Sequence, residues 1–119
     1  MSCEKKRATE PDGNVPECSG PVQLTVSPGT SPTFSWTPDC AIGRLIVMEG
    51  AEERFGTETL GENNYRSPIQ YGVHPPTAAE PDDPWQPLFE GHTYEVTLYR
   101  WITVFPESFE VHARVEFTP

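Results

Sequence analysis

The chain has 119 residues, of which 18 are acidic and 8 basic, for a formal charge of −10. That balance excludes nucleic acid and anionic headgroups as partners of the folded part, because phosphate recognition needs a basic surface. With 14 prolines and 9 glycines the chain is no helical protein, and no stretch approaches the roughly 20 apolar residues of a membrane-spanning helix.

Residues 1–17 hold charges, two prolines and Asp12-Gly13-Asn14 but almost no large apolar side chains. Such a segment cannot offset its own ordering entropy, so it is expected to be a flexible tether. Residues 18–119 then form one domain. Val22, Leu24 and Val26 alternate with polar residues, predicting a first strand that Pro28-Gly29 ends. Phe34 and Trp36 alternate in a second strand stopped by Pro38-Asp39. Arg44 to Glu49 is a short apolar run, the pattern of a central strand covered on both faces.

Gly50 to Asn64 is polar, with a weak edge strand expected over Glu53 to Thr59. Tyr65 to Gly72 predicts a strand interrupted by Pro68, which confines it to an edge or a bulge. Residues 73–87 carry five prolines and little periodicity; loops of this length tend to be functional or mobile. In the next strand Tyr94, Val96 and Leu98 point one way, and Glu95, Thr97 and Tyr99 the other. Phe105-Pro106-Glu107-Ser108 predicts a turn. Phe109, Val111, Ala113, Val115 and Phe117 then alternate with polar residues, which puts these five inward and His112 outward. The total is about seven strands in an antiparallel, two-sheet, all-β sandwich, with its core where the last two strands meet Trp36 and Leu45.

Two motifs carry a resemblance. One is the second-strand tryptophan in Phe34-Ser35-Trp36-Thr37-Pro38, followed by Leu45-Ile46-Val47. The other is Leu88, Gly91 and Tyr94 in Pro87-Leu88-Phe89-Glu90-Gly91-His92-Thr93-Tyr94-Glu95-Val96, laid out as a tyrosine corner. By type and order these are similar to a fibronectin type III domain, an immunoglobulin-like sandwich, over about residues 20–118. Ser67-Pro68-Ile69-Gln70-Tyr71-Gly72, with Ser31 to Trp36 before it, resembles variants of that domain in bacterial lipoproteins. The long proline-rich loop and the cysteines depart from the usual pattern, and no Arg-Gly-Asp sequence supports integrin-type adhesion.

Of the three cysteines, Cys18 precedes the first strand and Cys40 follows the second. If those strands are neighbours the two sulfurs meet at one end of the sandwich; the alternative is two independent thiols in a reducing compartment. No pair has the Cys-x-x-Cys spacing of a zinc site. Cys3, ahead of a polar tether, resembles the lipid-bearing cysteine of a mature bacterial lipoprotein; the alternative is an incidental free thiol. The resemblance implies an extracytoplasmic, envelope-associated chain whose only membrane contact is a lipid on Cys3.

His74, His92 and His112 belong to no motif with a nucleophile, and Glu80, Asp82 and Asp83 lack the spacing and turn glycine of a calcium loop. The expectation is therefore a non-enzymatic, monomeric binding or spacer module with no cofactor or metal and an unidentified protein or glycan partner. The glycan alternative rests on Trp85, Tyr99 and Trp101, which would stack on a sugar ring if exposed together; otherwise Trp85 folds back over an open edge of the sandwich.

Overall fold

A computed structural model of the protein describes residues 15–79 and 85–119. Seven strands follow in chain order: β1 (Gln23–Val26), β2 (Thr33–Thr37), β3 (Arg44–Glu49), β4 (Glu52–Glu58), β5 (Ile69–Gln70), β6 (Tyr94–Thr103) and β7 (Ser108–Phe117). They form a three-stranded sheet in the order β1-β2-β5 and a four-stranded sheet in the order β4-β3-β6-β7. Neighbouring strands are antiparallel throughout, and no helix forms among the described residues.

The core lies between the sheets. Leu24, Phe34 and Trp36 enter it from one side; Leu45, Val47, Phe55, Tyr94, Val96 and Leu98 enter from the other. Trp36 can be buried because its Nε1–H donates to the Cys40 carbonyl at 2.8 Å, leaving no polar atom of its ring unpaired. β3 is central as its composition predicts. Leu45 and Val47 face the core, while Ile46 on the opposite face lies between Gly56 and Thr97 and is also buried.

The start of β6 is fixed by a tyrosine corner. The Tyr94 ring is buried, and its hydroxyl accepts the Phe89 amide at 2.9 Å across the turn at Gly91. Gly91 has φ 83°, a conformation glycine adopts without cost. Leu88 is buried beneath this corner.

The cysteine pairing is formed. Cys18 and Cys40 make a disulfide, both sulfurs buried, between residues 22 apart in sequence. Two backbone bonds accompany it: Cys18 N–H to Ala41 O at 2.9 Å and Ala41 N–H to Pro16 O at 2.8 Å. The segment before β1 is thereby held along the residues that follow β2. Closing a loop of this size contributes about 3 kcal/mol in the chain-entropy description.

Three local features refine the sequence reading. First, the stretch from Tyr65 to Gly72 forms a strand only at Ile69–Gln70. Tyr65 exchanges two backbone bonds with Ile42, and the chain then crosses to pair Ile69 with Phe34 of the other sheet. Pro68, with no N–H to give a ladder, sits at the crossing. Second, the 73–87 loop runs along the free edge of β4 where it is described. Ala79 donates to Glu58 O at 2.7 Å and Gln86 to Arg54 O at 2.8 Å, so the loop meets that edge at these two points.

Third, the alternation in β7 does not hold throughout. Leu98 pairs with Ala113 but Tyr99 pairs with Val111, so His112 is an extra residue in a β-bulge. On the carboxyl side of the bulge Ala113, Val115 and Phe117 pack on the core as expected. On its other side the parity flips: Val111 and Phe109 lie opposite Tyr99 and Trp101, on the face away from the core, and His112 is buried instead of outward.

The corner gives a direct test. Tyr94→Phe removes only the acceptor for the Phe89 amide and leaves the ring's packing intact. The expected cost is about 1 kcal/mol, read as a lower midpoint in urea with an unchanged slope. An unchanged midpoint would mean that the hydroxyl contributes nothing.

Candidate functional site

The bulge that inverts β7 also marks where the last hairpin leaves the body. β6 pairs with β3 as far as Tyr99, opposite Arg44. Beyond that point Arg100, Trp101 and Thr103 pair only with β7 while Ile102 bulges from the ladder, so among the described residues the hairpin continues as a two-stranded ribbon. Its turn spans residues 104–107.

Trp101 secures the root of the ribbon. Its ring lies over Gly43, where a Cβ would come within 2.3 Å of Trp101 Cδ1. Its Nε1–H donates to Thr59 Oγ1 at 3.0 Å, and its ring packs on Phe109 at 4.3 Å between centroids. Asn63 holds its backbone from both sides, accepting from Trp101 N–H at 2.8 Å and donating to Trp101 O at 3.1 Å. The same amide nitrogen of Asn63 donates to Glu17 Oε1 at 3.0 Å. Glu17, one residue before the disulfide, also accepts from Arg100 Nη2 at 3.3 Å. Arg100 reaches Glu110 at 3.9 Å, and Glu110 bonds His112 Nε2 at 2.9 Å. Disulfide, ribbon root and bulge are thus one polar network.

Between the ribbon and the loop after β4 is a cleft of about 500 Å³, lined by Val15, Glu17, Asn63, Arg100, Ile102 and Val104, among others. On the opposite face of the ribbon the Arg44 guanidinium stacks over Phe109 at 4.5 Å and Tyr99 at 5.1 Å, with Glu58 at 3.5 Å. Toward the turn the side chains become apolar and exposed. Ile102 is 48% accessible, Val104 41%, and Phe105, at the turn, 93%. Leu60 is also exposed, immediately before Gly61, whose α-carbon faces Val104.

Of the three aromatic residues singled out for stacking, Tyr99 and Trp101 come together around Phe109, 5.8 Å and 4.3 Å from its centroid. Trp101 is buried there and Tyr99 half-buried. Trp85 is elsewhere: half exposed, edge-on to Tyr71 at 5.8 Å and over Gly72, next to the loop bond to Arg54. Cys3 and the acidic run Glu80, Asp82 and Asp83 lie outside the described residues.

The three histidines are spread over the molecule. His74 bonds Thr57 Oγ1, His92 bonds Glu49 Oε2 at 2.7 Å, and His112 bonds Glu110. Among the described residues no group of three or more His, Cys, Asp or Glu is placed to hold a metal. No helix there is long and apolar enough to cross a membrane. The His92 hydrogen bond, reinforced by Arg54, holds the half-buried Glu49 carboxyl below its ordinary value.

Comparison with protein-family models, with curated proteins and with solved structures finds no match for this chain. The features that distinguish this end of the molecule were not apparent from sequence. Phe105 sits in a segment whose proline, glutamate and serine mark only a turn, and Leu60 sits in a polar stretch. An exposed apolar side chain at a turn has no period by which to find it.

Two tests follow. Gly43→Ala forces a methyl group into the Trp101 ring and the Asn63 amide. It should cost about 1–3 kcal/mol and red-shift the tryptophan emission; wild-type stability and emission would contradict the packing described. The second concerns Tyr65 and Tyr71. Burial raises both phenol pKa values above the ordinary 10.0, and for Tyr71 the neighbouring Tyr94 adds to the rise. The folded chain therefore keeps these two protons while the unfolded chain releases them near pH 10, so the stability they contribute is full below that pH and lost as pH rises above it. In an ultraviolet titration the tyrosinate signal of Tyr65 and Tyr71 should appear at higher pH in the folded chain than in the chain unfolded by urea. If the Tyr65→Phe and Tyr71→Phe variants leave that late component unchanged, the assignment is wrong.

Proposed function

We propose that this chain is a non-enzymatic, extracytoplasmic binding or spacer module of fibronectin type III-like kind, acting as a monomer and held at a bacterial envelope through a lipid on Cys3. The observation that carries the reading is the Cys18–Cys40 disulfide, buried and flanked by backbone bonds on both sides. Structural disulfides persist in oxidising compartments and are rare where glutathione keeps thiols reduced. The tryptophan of β2 and the Leu88–Gly91–Tyr94 corner support the fibronectin-like kind.

Among the described residues the polar side chains of Glu17, Asn63, Arg100 and Glu110 are engaged in holding the ribbon in one direction. That supports a binding or spacing role. Glycan stacking through Trp85, Tyr99 and Trp101 has less support. Trp101 commits its ring to Gly43 and Phe109 and its N–H to Thr59, and Trp85 packs with Tyr71.

Thiol trapping in intact cells that make the protein, combined with fractionation and mass analysis of the amino-terminal peptide, tests this reading. Cys18 and Cys40 should resist alkylation until reduced, the chain should fractionate with the envelope, and the peptide bearing Cys3 should carry acyl mass. Three alkylatable thiols in a cytosolic fraction would remove the extracytoplasmic assignment. An unmodified Cys3 peptide would remove the lipid anchor alone.

A further inference from the structure

We propose that the tip of the β6–β7 ribbon is a docking knob for a protein partner that offers an apolar pocket bordered by Lys or Arg side chains. The inference rests on reading the chain as a binding module rather than a spacer, and goes beyond it by naming the surface and the chemistry of what it meets.

Three side chains on the ribbon form the knob, Ile102, Val104 and Phe105; Val104 faces Gly61, and the exposed Leu60 precedes that glycine. Ile102, Val104 and Phe105 follow one another into the turn with much of their surface open to solvent, and an exposed apolar patch on a monomer is often functional. Turns that serve only as connections are built from polar residues, and this one carries a phenylalanine that is 93% exposed.

The knob is presented on a prepared support. The ribbon projects about four residues past its last pairing with β3, or roughly 13 Å. Its root is clamped by the Trp101–Asn63–Glu17–Arg100 contacts. Its end is closed by Thr103, whose hydroxyl donates to Pro106 O at 2.5 Å and lies 2.8 Å from Ser108 Oγ. Apolar side chains held in place before contact lose less freedom on binding, which is how a small surface yields useful affinity.

Shape and charge select the occupant. A convex tip needs a concave receiver. A stable dimer needs about 800 Å² from each copy, more than this knob supplies, and a second copy would bring its own charge of −10. Glu107 follows Pro106 in the turn and Glu62 follows Gly61, both exposed, while Arg100 is already paired with Glu17 and Glu110. An anionic bilayer would repel that border. A pocket with a basic rim would complement it.

The test places a photo-crosslinking benzoylphenylalanine at position 105 of the full-length chain in cells that normally make it, with the same group at the exposed Thr25 of β1 as control. Adducts are identified by mass spectrometry. The expected result is a protein adduct at 105 that is absent at 25. That protein, purified, should bind the wild-type chain in a salt-sensitive manner, and Phe105→Ala should raise the Kd about tenfold or more. Circular dichroism should show Phe105→Ala folded as the wild type is, since the side chain is outside the core.

The proposal is overturned by an adduct with lipid, which would assign the tip to the membrane surface, or with a second copy of the chain. It is equally overturned by an adducted protein that binds Phe105→Ala as well as wild type, or by labelling at 105 no greater than at 25. Thiol trapping on the same cells reports separately on the extracytoplasmic reading, so failure of one is not failure of the other.

Discussion

The hydrogen bond from the Phe89 amide to the Tyr94 hydroxyl sets where β6 begins, and most of the structure depends on β6. That strand lies between β3 and β7 and pairs with both. Its register places Val96 opposite Val47 and Val115, and Leu98 opposite Leu45 and Ala113. A slip of one residue would carry Tyr94, Val96 and Leu98 from the interior to the outer face together. The corner guards against that slip by tying the first core residue of the strand to the turn just before it. With the register fixed, the three-stranded sheet closes over the resulting surface with Leu24, Phe34 and Trp36.

The far end of β6 is governed by polar contacts instead. There the bulge at His112 inverts β7, and Phe109 joins Tyr99, Trp101 and Arg44 on the face away from the core. Glu17 links this region to the disulfide through Asn63 and Arg100. A ribbon that left the sandwich without such fastening would fray, since an isolated two-stranded hairpin is marginal in water. The domain therefore has an apolar interior that supplies stability and a polar root that holds one protruding hairpin in a defined direction.

Much of the fold was legible because the residues that build it repeat with a period of two. Phe34 and Trp36, Tyr94 to Leu98, and the apolar run of β3 predict their strands correctly, and the positions of Cys18 and Cys40 around β1 and β2 allow the pairing that forms. Alternation cannot show where its own phase changes. The bulge at His112 leaves the sequence of β7 regular while moving Phe109 and Val111 to the other face. The contraction of the Tyr65–Gly72 segment to Ile69–Gln70 is also a tertiary effect, set by the bonds of Tyr65 to Ile42, just ahead of β3. At the candidate site the decisive contacts join Glu17 to Arg100 and Gly43 to Trp101, residues far apart in the chain with no shared motif.

The division of β6 into a core half and a projecting half is the claim on which the site depends, and residue-resolved native-state hydrogen exchange measures it most directly. The account predicts amides of Val96 to Leu98, with those of Leu45 to Val47, exchanging only through global unfolding, and the Phe89 amide protected well above its loop neighbours. Ile102 and Thr103 should exchange faster, through local opening of the ribbon. Uniform protection along the whole of β6, or a Phe89 amide exchanging as freely as Glu90, would contradict it.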